Sequence, residues 1–98
     1  MTNRCALSAC IVERSALRFT PAGLPVVDFS LRHESELEQE GVPRKVMFDL
    51  RARAIGPLTQ TLLAAELGIE HGFEGFLGAQ RNGRGIVFHI HSIELKRG

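Results

Sequence analysis

Alternating polar and apolar side chains decide the fold, most clearly in the stretch Lys45-Val46-Met47-Phe48-Asp49-Leu50-Arg51-Ala52-Arg53-Ala54. Successive side chains of a strand point to opposite faces, so this pattern predicts a strand from about Arg44 to Ala54 with one buried face. The residues expected to face the core are Val46, Phe48, Leu50, Ala52 and Ala54. Those expected to face outward are Lys45, Met47, Asp49, Arg51 and Arg53.

The same period of two predicts four more strands, and one change of period predicts a helix. Strands are expected around residues 5–11, 27–32, 71–81 and 86–95, and apolar positions 58, 62 and 65 predict a helix of about three turns. Pro57 suits the start of that helix and Gly68 its end. A phase slip near His91-Ser92 predicts a bulge, and Asn82-Gly83 predicts a hairpin turn.

The predicted order is therefore three strands, a helix and two strands. It describes an all-β OB-fold, a five-stranded Greek-key barrel with one short helix between strands 3 and 4. Periodicity alone also accommodates other small barrels. We expect residues 1–98 to form a single OB-fold domain, because a chain of 98 residues seldom divides. The acidic segment Glu34–Glu40 is expected to be a solvated, mobile hairpin loop.

Composition excludes several classes of protein. The formal net charge is +1 and no apolar run approaches the roughly 20 residues that span a bilayer. The first residues lead straight into alternating sequence, unlike a signal peptide. Cys5 and Cys10 on one strand would lie about 16 Å apart on opposite faces, too far for a disulfide. Two unpaired thiols suit a reducing, cytoplasmic compartment.

With so little net charge, a nucleic-acid site depends on where the cations lie. An OB barrel binds single strands on the outer face of strands 2 and 3, between the 1–2 and 4–5 loops. Arginines and a lysine at these places could neutralise phosphates. The alternative is a set of ordinary surface cations, some paired with Asp28 and Asp49. The cations concerned are Arg14, Arg18, Arg32, Lys45, Arg51, Arg53, Arg81 and Arg84.

The aromatic residues offer little for base stacking. All six are Phe, and parity places Phe29, Phe48 and Phe88 in the core, with Phe73 and Phe76 on opposite parities. Phe19 is the best candidate for an exposed ring, although a plug of the barrel is the favoured interpretation. We therefore expect DNA binding to be electrostatic, salt-sensitive and weakly selective for sequence.

Nothing in the sequence predicts catalysis, a metal or a cofactor. The serines lie in no nucleophile motif, and no phosphate-binding glycine loop is present. His89 and His91 could be two ligands of a metal ion, but no third ligand is identifiable. An enzyme or metalloprotein would rest on that pair alone.

Three segments together resemble the primosomal replication protein N (PriB) family, relatives of bacterial single-stranded DNA-binding proteins. They are the opening Met1–Arg4 with Leu7-Ser8, the turn Thr20–Pro25 running into Val27–His33, and the ending Ile93-Glu94-Leu95. The resemblance implies an OB-fold homodimer that binds single-stranded DNA in replication restart. It also implies that the protein stabilises the restart helicase on DNA and helps to load the replicative helicase, with helicase-loading proteins as partners.

The resemblance adds Arg44 and Met47 as DNA contacts by position, and it supports Arg81 and Arg84 in the 4–5 loop. Two departures from the family predict weaker DNA binding: Met47 replaces an aromatic residue, and a short arginine hairpin replaces a lysine-bearing loop. The alternative is a protein-interaction adaptor of the primosome with weak DNA binding. The expected nucleic-acid-binding residues are Arg18, Arg32, Arg44, Lys45, Met47, Arg51, Arg53, Arg81 and Arg84.

Overall fold

The computed structural model describes residues 1–81 and 83–96, which form six strands and one short helix. The predicted Asn82-Gly83 turn falls partly outside the described residues. The bounds are β1 Cys5–Arg14, β2 Arg18–Phe19, β3 Pro25–Gln39, β4 Val42–Ile55, α1 Leu58–Ala64, β5 Glu70–Ala79 and β6 Ile86–Glu94. The sequence did not predict β2, which has only two residues.

Five of these strands close into a barrel. β1 pairs with β5, β5 with β6, β6 with β4 and β4 with β3, and β3 returns to β1. All of these pairs are antiparallel except β4–β6, which is parallel. The helix lies between β4 and β5, which are the third and fourth strands of the barrel because the two-residue β2 lies outside it. The prediction of an OB-fold is confirmed, because this is a closed five-stranded barrel with one helix at the expected place.

The core contains many of the residues that alternation assigned to the inner face, together with Leu62 and Ala65 from the helical region. Ile11, Leu31 and Phe88 are fully buried, and Phe29 and Phe73 almost so. They come from four strands, β1, β3, β5 and β6, so side chains from several sides of the barrel fill its interior. In β4, Ala52 and Ala54 are buried as predicted, but Phe48 is 38% exposed.

The prediction of a loop at Glu34–Glu40 is wrong. β3 continues to Gln39 and pairs residue by residue with β4, until Glu40 and Gly41 turn the chain with φ of 51° and 77°. Two positive φ angles define the tight turn whose twist matches that of paired strands. Ser35 and Leu37 continue the inner face of β3, the glutamates occupy the outer face, and Lys45 lies opposite Glu36.

The helix is shorter than predicted and is anchored by an arginine. It ends at Ala64, and Ala65 is already extended, so Gly68 is not its stop. Arg14 Nη1 donates hydrogen bonds to the carbonyl oxygens of Leu62 (2.8 Å) and Ala65 (2.9 Å). These are carbonyl groups that a helix end leaves unsatisfied. Arg14 therefore has a structural role, and its guanidinium group is not available to bind a phosphate.

The predicted bulge is confirmed. Gly75 pairs with Ile90 whereas its neighbour Glu74 pairs with Ser92, so His91 is an extra residue in β6. An extra residue bends a strand and changes which side chains face inward. This explains why Ile90 and Ile93 both contact the core although they differ in parity.

Candidate nucleic-acid interface

The outer face of the β3–β4 pair carries the cations that alternation assigned to it. Directly opposite one another lie Asp28 and Arg53, then Ser30 and Arg51, then Arg32 and Asp49. Opposed residues share one face of a sheet. Lys45, Arg51 and Arg53 therefore share the outer face of β4, as their parity predicts, with Lys45 about 20 Å along the strand from Arg51.

Asp28 neutralises part of this surface. Its two carboxylate oxygens accept hydrogen bonds from Arg18 (2.6 Å) and from Arg53 Nε (2.8 Å). Partial burial acts to raise the pKa of Asp28, but the hydrogen bonds and charges of Arg53 and Arg18 outweigh it, and the net pKa is lowered. The carboxylate is thus ionised at neutral pH and occupies a place that a phosphate could take between two guanidinium groups.

A groove of about 440 Å³ lies between β2 with the turn that follows it, β4, and the end of β5. It brings together three of the predicted cations, Arg18, Arg53 and Arg81, and beside them lies the ring of Phe19. Because cations neutralise phosphates and rings stack on bases, the groove combines both parts of a single-strand site.

Phe19 corrects the prediction of a barrel plug. The side chain is 65% exposed, because β2 pairs at the edge of β3 and lies outside the barrel. The sequence signal that could have revealed this is weak: Arg18 precedes it, and Thr20 and Pro21 begin the turn. Phe48 also departs from its predicted burial, because β3 and β4 extend beyond the other strands of the barrel.

The remaining predicted residues lie away from the groove. Met47 is opposite Glu34, and Lys45 is opposite Glu36, so the outer face of the hairpin becomes acidic toward its tip. Arg44 lies opposite Leu37, on the other face. Arg32 is paired with Asp49 (Nε to Oδ1, 3.0 Å).

The predicted cations differ in whether an ion pair holds them. Within residues 1–81 and 83–96, no ion pair holds Arg44, Lys45, Arg51 or Arg81. Arg84 is exposed. The structure thus brings Arg18, Arg53 and Arg81 into one groove, with Arg51 on the adjoining surface.

His89 and His91, which the sequence offered as metal ligands, contact other side chains of the barrel. His89 stacks on Phe76, and His91 Nε2 lies 3.6 Å from Glu74. In the described part of the chain, no three His, Cys, Asp or Glu side chains converge as metal ligands. Cys5 and Cys10 are both free thiols. Over the same residues, the helix is neither long nor apolar enough to cross a membrane.

Comparison with known proteins agrees with the fold. The model of a family described as "Another single-strand binding protein family" matches residues 3–92. Replication restart protein PriB of Bordetella pertussis is 43% identical over 97% of this chain and 88% of its own length. PriB of Neisseria gonorrhoeae is 36% identical over 99% of this chain and 97% of its own.

Solved structures give the same relationship. PriB from Ralstonia solanacearum superposes with a TM-score of 0.89 at 31% identity, covering 99% of this chain and 100% of the other. A single-stranded DNA-binding protein from Thermus aquaticus shares the fold, with a TM-score of 0.77 at 24% identity over 99% of this chain and 51% of the other. The chain therefore belongs to the PriB family of replication restart proteins, relatives of the single-stranded DNA-binding proteins.

Proposed function

We propose that the protein binds single-stranded DNA during replication restart, as a binding protein and not an enzyme. The proposed DNA surface is the groove of Arg18, Arg53, Arg81 and Phe19, together with Arg51. The observation that carries this proposal is the exposed ring of Phe19 beside three guanidinium groups. Such a site binds the sugar–phosphate chain by charge and accepts any base on its ring.

A salt series tests the proposal. Fluorescence anisotropy of a labelled oligothymidylate should show binding that weakens as salt rises. Four arginines less the one carboxylate of Asp28 leave about three phosphate contacts, which predict a slope of log K against log salt of about −2, at roughly 0.7 per phosphate for single strands. Absence of binding even at low salt would remove the DNA part of the function.

Replacing Asp28 should strengthen DNA binding. Asp28→Asn removes the carboxylate that holds Arg18 and Arg53, so both guanidinium groups become available to phosphates. We expect affinity to rise several-fold and the salt slope to steepen by about 1. Glu36→Gln is the matched control, because it removes the same charge from the same strand face near the hairpin tip. If Asp28→Asn gained no more than Glu36→Gln, the DNA would not contact these two arginines.

We further propose that the protein stabilises the restart helicase on DNA and helps to load the replicative helicase in the cytoplasm, with helicase-loading proteins as partners. Support comes from the name of the PriB relatives, which are replication restart proteins. The alternative is an adaptor that acts mainly through protein contacts. That alternative is favoured by the ion pairs that already engage Arg18, Arg32 and Arg53.

We propose a homodimer, and the inner face of the β3–β4 hairpin supports it. Leu37 and Val42 are 59% and 56% exposed there, and Phe48 continues this apolar surface toward the core. A second copy would remove these side chains from water. Sedimentation should give twice the chain mass of 10.8 kDa, and Leu37→Glu should shift the protein toward a monomer.

A further inference from the structure

A second exposed ring lies on the barrel surface beyond the groove. Phe76 of β5 is 46% exposed and stacks on the imidazole of His89 in β6, with ring centroids 4.8 Å apart and planes inclined by 16°. An exposed phenylalanine on a strand would ordinarily change rotamers freely. Contact with a second, nearly parallel ring restricts that freedom, so Phe76 presents its other face to solvent in a defined orientation.

The backbone of β5 makes room for this stack. A Cβ atom at Gly78 would lie 3.0 Å from Nε2 and 3.2 Å from Cδ2 of His89, closer than side chains normally approach. The imidazole therefore lies over a position without a side chain. Gly78 and Phe76 together hold the ring of His89 against the barrel.

Strand pairing connects this ring pair to the proposed DNA surface. Phe76 is directly opposite His89, His89 is the neighbour of Arg53, and Arg53 is opposite Asp28. Paired residues face the same side of a sheet and adjacent strands are about 4.8 Å apart, so Phe76 lies about 10 Å from the backbone of Arg53. The row runs continuously over the outside of the barrel.

Charge on this side of the barrel also suits a nucleic acid. The nearest carboxylate on the outer face of β5 is that of Glu74, and Arg4 Nη2 lies 2.7 Å from it. Arg4 donates a hydrogen bond to Glu74 and lowers its pKa, with a smaller contribution from His91. Repulsion of a phosphate chain by Glu74 is therefore offset by an adjacent cation.

We propose that Phe76, held by His89, is a second base-stacking residue: single-stranded DNA leaves the Phe19 groove, passes Arg53 and places a base on Phe76. This inference rests on the proposed DNA-binding function and adds the direction in which the strand crosses the barrel. It extends the contact surface from β3 and β4 onto β5 and β6. Base stacking accepts every base, so Phe76 adds affinity without sequence preference.

Three substitutions at one position test the inference by anisotropy with oligothymidylate. Phe76→Ala should weaken binding about five- to hundredfold, the effect of removing one stacked base. Phe76→Tyr should restore affinity to near the wild-type value, whereas Phe76→Leu should not, because leucine is apolar but has no π-face. If Leu restored affinity as well as Tyr, or if Ala changed nothing, stacking at Phe76 would be wrong.

Photocrosslinking provides a positional readout that a stability effect would not imitate. An oligonucleotide containing 5-iodouracil should crosslink to the β5–β6 peptides of the wild type, and the yield should fall in Phe76→Ala at saturating protein. The wild-type salt series separates the two claims. If the wild type binds DNA but crosslinks only at Phe19, the route over Phe76 is wrong and the DNA-binding function stands.

Discussion

Reversing the charge of Arg51 and Arg53 together is expected to weaken single-stranded DNA binding about hundredfold or more, roughly 3 kcal/mol. The double variant R51E/R53E removes two cations from the outer face of β4 and places two carboxylates there. Each lost phosphate contact costs affinity, and each new carboxylate repels the DNA chain. Anisotropy titration at low salt measures the loss.

The matched control reverses one cation on the same face of the same strand. Lys45→Glu changes the net charge by as much as Arg51→Glu alone, but Lys45 lies opposite Glu36, about 20 Å along the strand from Arg51. We expect Lys45→Glu to weaken binding less than Arg51→Glu does. Equal losses in the two variants would mean that overall charge, and not the β3–β4 surface at the barrel, determines affinity. Helicase binding that survives R51E/R53E would place the two partners on distinct surfaces.

Folding should survive R51E/R53E. Among residues 1–81 and 83–96, the double variant loses a single ion pair, between Arg53 and the partly exposed Asp28, and surface pairs contribute about 0–1 kcal/mol. Both side chains project from the barrel and leave the core unchanged. Thermal unfolding followed by circular dichroism separates a binding defect from a folding defect.

The largest expected loss of stability comes from Gly75→Ala in β5. A Cβ atom there would overlap the carbonyl oxygen of His89, and it would lie 2.8 Å from the carbonyl carbon and 2.9 Å from Cε1 of Phe88. Two of these atoms belong to the backbone of β6, which is fixed by its pairing and by the bulge at His91. Relief requires the two strands to separate beside the fully buried Phe88.

We expect Gly75→Ala to lower the free energy of unfolding by about 3 kcal/mol or more, a large part of the 5–15 kcal/mol of a typical domain. Gly72→Ala, three residues earlier on the same strand, is the control. Its Cβ would meet Glu94 Cβ at 3.5 Å, an ordinary contact, and should change stability by less than about 1 kcal/mol. Urea denaturation of both variants measures the difference, and similar stabilities would contradict the packing described around Gly75.

Alternation predicted the barrel because core and solvent alternate along each strand. Phe29, Leu31, Ala52 and Phe88 are buried where their parity placed them, and the slip at His91 marked a real bulge. These positions depend only on the period of two and on one side of each strand meeting the core. Such local patterns require no knowledge of which strands are neighbours.

The candidate site was harder to predict because it depends on neighbours. The exposure of Phe19 follows from its place on a two-residue edge strand, and its proximity to Arg53 and Arg81 follows from barrel closure. Phe48 is exposed because β3 and β4 extend beyond the other strands of the barrel. The alternation of polar and apolar residues does not show which strands are neighbours or how far each strand extends.

The sequence predicted only in part that Asp28 would compete with a phosphate for Arg18 and Arg53. Parity indicated that Asp28 shares a face with Arg53, but Arg18 joins them only because β2 pairs with the start of β3. The same pairing makes Asp28 central to the electrostatics of the groove.

Amide chemical shifts test the central claim most directly. A ¹⁵N-labelled sample titrated with oligothymidylate should show its largest shift changes at Arg18, Phe19, Arg51 and Arg53. Signals of Leu37 and Arg44, on the inner face of the hairpin, should change little. Changes confined to that inner face, or spread evenly over the barrel, would contradict a DNA surface on the outside of β3 and β4.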